Sequence, residues 1–408
     1  MEGKGPVPGR SVKRRNIALT VNFSPWSVYS GGGQRATHEL AGALARRGHS
    51  VTVIYTKALG ERLSFPDDLP YAVRFAAFIG LRSRRQAPLR PLNAFTVARA
   101  VDKLAREGGL FAVHSQGEEG ARIPRLQRRH SFSFVVTPRY PSYPPALISS
   151  KGGWPRKVVL NFFDAKHVML GRAVRDADAC CPTSRASLEQ VQRAYGVPGK
   201  RCVIVPNGVA PCCLEVERAN DAHRGPIIFF GRFAASKGIH VLVEALGILG
   251  PQAPHAVFVG RGEARGRLRK RLIALGLADR SEILDWRPIE DIAALLARAS
   301  LAVLPSLEES FGNTIVEAMA AGTPLISTLA GSIPEVAIDG RTAILVPPND
   351  PEALAKAILA LGRNPDRAEE MGRAARSYVR DHFSWEATAA RFEAVYESCA
   401  ARRQRCAS

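Results

Sequence analysis

A chain of 408 residues is longer than one hydrophobic core usually serves, so two domains are expected. Hydrophobic residues at 46% and charged residues at 23% are ordinary for a globular protein, and no apolar run approaches the roughly 20 residues of a helical membrane span. The net charge of +20 is segregated: 33 of the 57 Lys and Arg but only 13 of the 37 Asp and Glu fall in residues 1–205, so the whole excess lies there. That half is expected to meet something anionic. No recognised nucleic-acid motif accompanies the charge, so nucleic acid is not the expected partner. Seven cysteines, without C-x-x-C or a histidine at zinc spacing, point to reduced thiols in a cytoplasmic protein and to no metal site.

Residues 1–15 are basic, rich in Gly and Pro and without an apolar h-region, and read as a mobile arm rather than a secretory signal. A buried strand over 16–22 leads through Pro25 and Trp26 to Gly31-Gly32-Gly33. A helix over 34–47 closes at Gly48, and a second strand covers 50–55. This βαβ unit implies a parallel sheet covered by helices. The glycines fit the dinucleotide pattern G-x-G-x-x-A, but they lie about eight residues past the strand, and the second strand ends in Tyr55-Thr56-Lys57 with no acid for a ribose. A glycine loop facing a diphosphate fits better. Strands at 71–78, 111–117 and 132–137 follow, with a helix over 93–106 between the first two and a Pro- and aromatic-rich loop over 140–154 after the last.

A new β/α series begins near 226, with strands at 226–231, 256–260, 282–286, 301–305, 324–328 and 343–346. Helices are expected through 249 and over 265–275, 351–361, 367–380 and 385–401. Arg232 and Lys237 lie five apart in a strand-to-helix loop. A guanidinium fork and an ammonium at that spacing clamp a diphosphate and stabilise it as a leaving group, whereas alone they read as solvated loop cations. The stretch from Glu308 to Pro324 takes a strand into an acidic loop and then into a helix stopped at Gly322. Gly312 admits a close ligand, and the helix start offers N–H groups to phosphate. Glu309 and Glu317 flank that anion site. Carboxylates beside a diphosphate make sense if they bind hydroxyls, so the combination reads as a nucleotide-sugar site. Thr314-x-x-Glu317 is also a capping box, in which Glu317 only ties off the helix.

These residues resemble those of a known family. Glu309, Phe311, Gly312 and Glu317, followed by Glu-Ala-Met-Ala-x-Gly-x-Pro, are similar to the paired-glutamate motif of the family-4 retaining glycosyltransferases of GT-B fold. The Gly231-Arg232 to Lys237-Gly238 stretch is similar to that family's Gly-Arg-x-x-x-x-Lys-Gly. The resemblance spans about residues 16–400 and is strongest from 203 onward. It implies an α/β protein with two Rossmann-like domains facing across a cleft: an acceptor-side domain over 16–205, a nucleotide-sugar domain over 206–384, and a terminal helix over 385–408 that crosses back to the first.

By the same resemblance Glu309 holds the donor sugar and Glu317 the ribose. Arg232 and Lys237 act on the diphosphate, with Gly32, Gly33, Phe311, Gly312, Asn313 and Thr314 completing the donor site. Asn313 stands where many relatives are apolar. His114 and Gln116 fall where relatives place a His-x-His near the transferred sugar, and Trp286-Arg287 falls near the base. The implied chemistry is metal-independent and cofactor-free hexosyl transfer from a nucleotide-diphosphate sugar with retention, the leaving phosphate taking the acceptor's proton. The acceptor is expected to be a glycan or a lipid-linked molecule of cell-envelope polysaccharide or glycolipid synthesis. A sugar-nucleotide epimerase or a phosphorylase on the same fold is the alternative. Cations mixed with apolar groups over 75–95 and 139–157 add the expectation of docking on an anionic membrane, from the cytoplasmic side.

Overall fold

Short apolar runs ended by glycine or proline, alternating with segments of helical period, build two sheets of six parallel strands each. The computed structural model describes residues 13–27, 30–79, 90–139 and 165–407. The chain divides into two units, Met1–Pro182 with Gln190–Val203 and Ala389–Ser408 in one, and Thr183–Glu189 with Ile204–Thr388 in the other.

The first sheet comprises β1 (Asn16–Val21), β2 (Ser50–Ala58), β3 (Ala72–Phe78), β4 (Ala112–Ser115), β5 (Ser133–Val136) and β6 (Ala179–Cys180), in the order β3-β2-β1-β4-β5-β6. Strands buried on both faces need apolar residues at consecutive positions, as in Ile17-Ala18-Leu19, which is at most 1% exposed. The strand order reverses between β1 and β4, whose register pairs Leu19 with His114. Open α/β sheets bind ligands beyond the carboxyl ends of the strands at such a reversal.

The helix Gly32–Arg46 starts two residues earlier than its periodicity suggests, so Gly32 and Gly33 form its first turn rather than a loop ahead of it. Gln34 accounts for this. Its Oε1 accepts the Gly31 N–H at 3.0 Å, and its Nε2 donates to the Asn22 carbonyl at 2.6 Å. Two of the helical stretches that escaped the sequence reading lie in the first unit. One is a 3-10 stretch at Glu118–Arg128 that carries Pro124; the other is the helix Ala165–Asp176, adjoining residues outside the described set. From Ala389 onward the terminal helix Trp385–Ala407 belongs to the first unit. Glu393 takes Arg47 through both carboxylate oxygens at 2.5 and 2.7 Å and also His49 at 2.9 Å. These partners hold its carboxyl below the usual range against the opposing effect of burial, which is the largest single influence.

The second sheet comprises β7 (Ile227–Phe230), β8 (Ala256–Val259), β9 (Ser281–Leu284), β10 (Leu301–Val303), β11 (Leu325–Thr328) and β12 (Ile344–Val346), in the order β12-β11-β10-β7-β8-β9. Its reversal lies between β7 and β10. Its core gathers Phe229, Phe258, Leu242, Leu304, Ile315 and Met319, all at most 2% exposed. The helix Ile289–Arg298, also unforeseen, buries Ile292, Ala293 and Leu296 on one face.

Candidate donor-binding site

At the carboxyl end of β7 the chain turns through Gly231 (φ 135°), which sits against Thr314: a Cβ on it would lie 3.7 Å from the Thr314 methyl. Arg232 follows and is exposed. A short turn over Ala235–Lys237 then passes to Gly238, the cap of the helix Ile239–Leu249. Gly238 meets two demands that only glycine satisfies. Its φ is 64°, and a Cβ there would stand 1.8 Å from the carbonyl oxygen of Pro305, just beyond β10. The same approach lets the Leu307 N–H donate to the Ser236 carbonyl at 2.8 Å. The loops after β7 and β10 are therefore joined backbone to backbone at the sheet's reversal.

This junction brings the cation and the carboxylate together. Lys237 Nζ donates to Glu309 Oε2 at 2.5 Å, and Ser306 Oγ donates to the same oxygen at 3.2 Å. The Lys237 and Glu309 side chains are 20% and 11% exposed. A third loop supports Glu309 from behind: the Ser332 N–H donates to its carbonyl at 3.2 Å, and Gly331 (φ 54°) approaches so closely that a Cβ would come within 2.3 Å of that oxygen.

Gly312 (φ 91°, ψ 55°) caps the helix Asn313–Ala320. Phe311 beside it is 4% exposed and packs edge-on against Phe383 at 5.8 Å. The cap assignment corrects the capping-box reading. A glycine has no side chain to close the box, Thr314 lies inside the first turn, and Glu317 is five residues past the cap, beyond the third position where a box glutamate sits. Glu317 is 7% exposed. Asn313 has a structural reason to be polar, because its Oδ1 accepts from Asn207 Nδ2 at 2.9 Å. On the other flank, Thr183 Oγ1 and Ser184 Oγ donate to the Ser310 carbonyl at 3.1 and 2.6 Å. The sequence held no local signal for either pairing, since the partners are more than 100 residues apart.

The helix start supplies N–H groups with no acceptor inside the helix, the feature by which helix N-termini attract anions. Beyond β8, Gly260 and Gly262 pack onto the backbone of Gly231 and Phe233, and Arg261 between them lies 5.4 Å from the centroid of the Trp286 ring. Trp286, two residues beyond β9, is 40% exposed.

His114 is fully buried, with Nδ1 2.8 Å from the Tyr396 hydroxyl and Nε2 2.8 Å from Thr137 Oγ1. Burial, and then Arg139, pushes its pKa well below the ordinary value. Gln116 is 3% exposed, and its Oε1 accepts from Arg139 Nε at 2.7 Å, so it too is engaged in the interior. Sequence reading missed Glu119, a fully buried carboxyl taking Ser115 Oγ at 2.8 Å and the Gln116 N–H at 2.9 Å. Burial, and then Glu118, raises its pKa to about 7. Among the described residues no cluster of His, Cys, Asp and Glu is arranged to hold a metal.

Two family models match successive stretches: Glycosyltransferase Family 4 over residues 30–211, and Glycosyl transferases group 1 over residues 217–378. The chain is 29% identical to the MMP alpha-(1->4)-mannosyltransferase of Mycolicibacterium hassiacum over 317 residues, 77% of each chain. The fold is similar to that of sucrose-phosphate synthase from Thermosynechococcus elongatus, with a TM-score of 0.78 at 23% identity, covering 97% of this chain and 100% of that one. It is also similar to that of Anabaena HepE in complex with UDP and glucose, with a TM-score of 0.73 at 18% identity, covering 94% and 100%. The chain belongs to the family 4, group 1 glycosyltransferases and has their GT-B fold.

Proposed function

We propose that this glycosyltransferase moves a hexosyl group from a nucleotide-diphosphate sugar to a glycan or lipid-linked acceptor with retention at the anomeric carbon. The observation that carries the reading is the Lys237–Glu309 pair at the β7/β10 reversal, beside the Gly312 cap. Arg232 and Lys237 hold the diphosphate together with the N–H groups of residues 312–314 and the Thr314 hydroxyl. Their charge stabilises the leaving group as the glycosidic bond breaks, the role a metal ion plays elsewhere. Glu309 takes hydroxyls of the donor sugar and Glu317 those of the ribose. Until a donor arrives, Lys237 and Glu309 compensate each other, so neither partly buried charge is left alone. The acceptor's proton passes to the departing phosphate oxygen, and the protein's part is to position and stabilise.

The acceptor side belongs to the basic first unit, and we place the enzyme at the cytoplasmic face of an anionic membrane in cell-envelope polysaccharide or glycolipid synthesis. Much of both stretches behind that expectation, 80–89 and 140–157, lies outside the described residues. The flanking Leu92 and Phe95 support it, being 42% and 50% exposed. No helix among the described residues is long and apolar enough to cross a membrane. A thermal-shift panel of UDP-, GDP- and ADP-sugars, with and without chelator, tests the donor reading. One base series should raise the melting temperature equally in both conditions. No shift with any donor, or a shift only with added divalent metal, contradicts it.

A further inference from the structure

The donor site makes no use of the cysteines, yet two of them face each other. Cys180 ends β6, the edge strand of the first sheet, and Cys202 sits opposite it in a parallel bridge, with the Val203 N–H donating to the Cys180 carbonyl at 3.0 Å. Paired residues on adjacent parallel strands lie about 5 Å apart, within the Cα separation a disulfide spans. Cys202 Sγ donates to the Pro198 carbonyl oxygen at 3.6 Å.

The pair is asymmetric. Cys202 is half-buried, whereas Cys180 is 1% exposed. Cys180 opposite it, and Arg201 next in the chain, hold the Cys202 thiol below its ordinary pKa against the opposing effect of burial. Cys202, with burial, pushes the Cys180 thiol up. An accessible thiol of lowered pKa beside a protected second thiol is the arrangement of an attacking and a resolving cysteine.

We propose that Cys202 is a site of reversible oxidation by hydroperoxides, that Cys180 resolves it into a disulfide, and that this bond acts on the loop carrying Glu309. The Cys202 thiolate attacks the peroxide O–O bond, forming a sulfenic acid and releasing hydroxide. Cys180 gives up its proton and attacks the sulfenyl sulfur; the S–S bond forms, the S–O bond breaks, and the oxygen leaves as water. Two thiols lose two electrons and one peroxide becomes two waters, and a thiol reductant reverses the result. The ring so closed runs from 180 to 202 and contains Thr183 and Ser184, the residues whose hydroxyls hold the Ser310 carbonyl beside Glu309. The link to turnover rests on the proposed role of Glu309, while the oxidation site itself does not.

The test treats the reduced full-length protein with hydrogen peroxide, blocks remaining thiols, and maps crosslinks by peptide mass spectrometry with fragmentation. A Cys180–Cys202 crosslink should form in wild type and in Cys181→Ser, vanish on reduction, and be absent from Cys180→Ser and Cys202→Ser. Cys180→Ser should instead accumulate a dimedone-trapped sulfenate on Cys202. A wild-type crosslink through Cys181 or Cys399, or none, overturns the site. Oxidised wild type should show a several-fold change in donor KM that reductant restores and that Cys202→Ser, treated alike, lacks. If the crosslink forms and the donor KM stays constant, the coupling to the donor loop is wrong while the oxidation site stands.

Discussion

Lys237→Ala tests the electrostatic core of the proposed donor site. In the structure the ammonium meets Glu309 Oε2 at 2.5 Å, with side chains 20% and 11% exposed. Its removal leaves the carboxylate one neutral donor on that oxygen, Ser306 Oγ at 3.2 Å. Exposed pairs contribute about 0–1 kcal/mol and breaking a buried pair costs about 3–5 kcal/mol, so this intermediate pair should cost about 1–2 kcal/mol of folding stability. The kinetic effect should be larger. Loss of one preorganised group that stabilises the leaving diphosphate corresponds to about 3 kcal/mol, or roughly hundredfold in kcat/KM. Steady-state kinetics with the donor identified by the thermal-shift panel measures the second quantity, and urea unfolding the first. In a double-mutant cycle, Lys237→Ala made in a Glu309→Gln background should lose less stability than in wild type, because the uncompensated charge is gone. A folded Lys237→Ala enzyme with wild-type kcat/KM would refute the assignment.

The two carboxylates should separate by ligand. Glu309→Ala should abolish transfer with little change in calorimetric affinity for the free nucleoside diphosphate, whereas Glu317→Ala should weaken that affinity; a fall in melting temperature alone from both would return them to structural roles. Glu119 makes stability depend on pH. Its folded pKa, about 7, exceeds the ordinary carboxyl value of 4.5, so its contribution is fully present below about 4.5 and is lost as pH rises through 7. Glu119→Gln should therefore gain on the order of 3 kcal/mol relative to wild type between pH 4.5 and 8 in urea unfolding, and an equal gap at both ends would contradict the assignment. Sedimentation with vesicles tests the membrane reading. Binding to anionic but not zwitterionic vesicles should fall with salt and drop when Arg82, Arg84 and Arg85 become Ser, and indifference to anionic vesicles at low salt favours a soluble acceptor.

The sequence alone determined those features that depend on local chemistry. Short apolar runs and period-3.6 patterns marked most strands and helices of both sheets, and Gly312 and Gly322 stood where chain turns needed them. The positions of Arg232, Lys237 and Glu309 in loops after strands were legible from the strand pattern alone. The tertiary structure decided what depends on distant partners. The Pro305 carbonyl against Gly238 is what makes Lys237 meet Glu309. The cap at Gly312 removes Glu317 from a capping box, and Asn207 explains a polar Asn313. Tyr396, 282 positions away, and Thr137 engage both ring nitrogens of His114. Composition cannot show that, because burial and hydrogen-bond saturation arise only when remote segments pack against one another. For the same reason the Cys180–Cys202 pairing and the raised pKa of Glu119 are properties of the folded sheet edge and interior, with no trace in residue spacing.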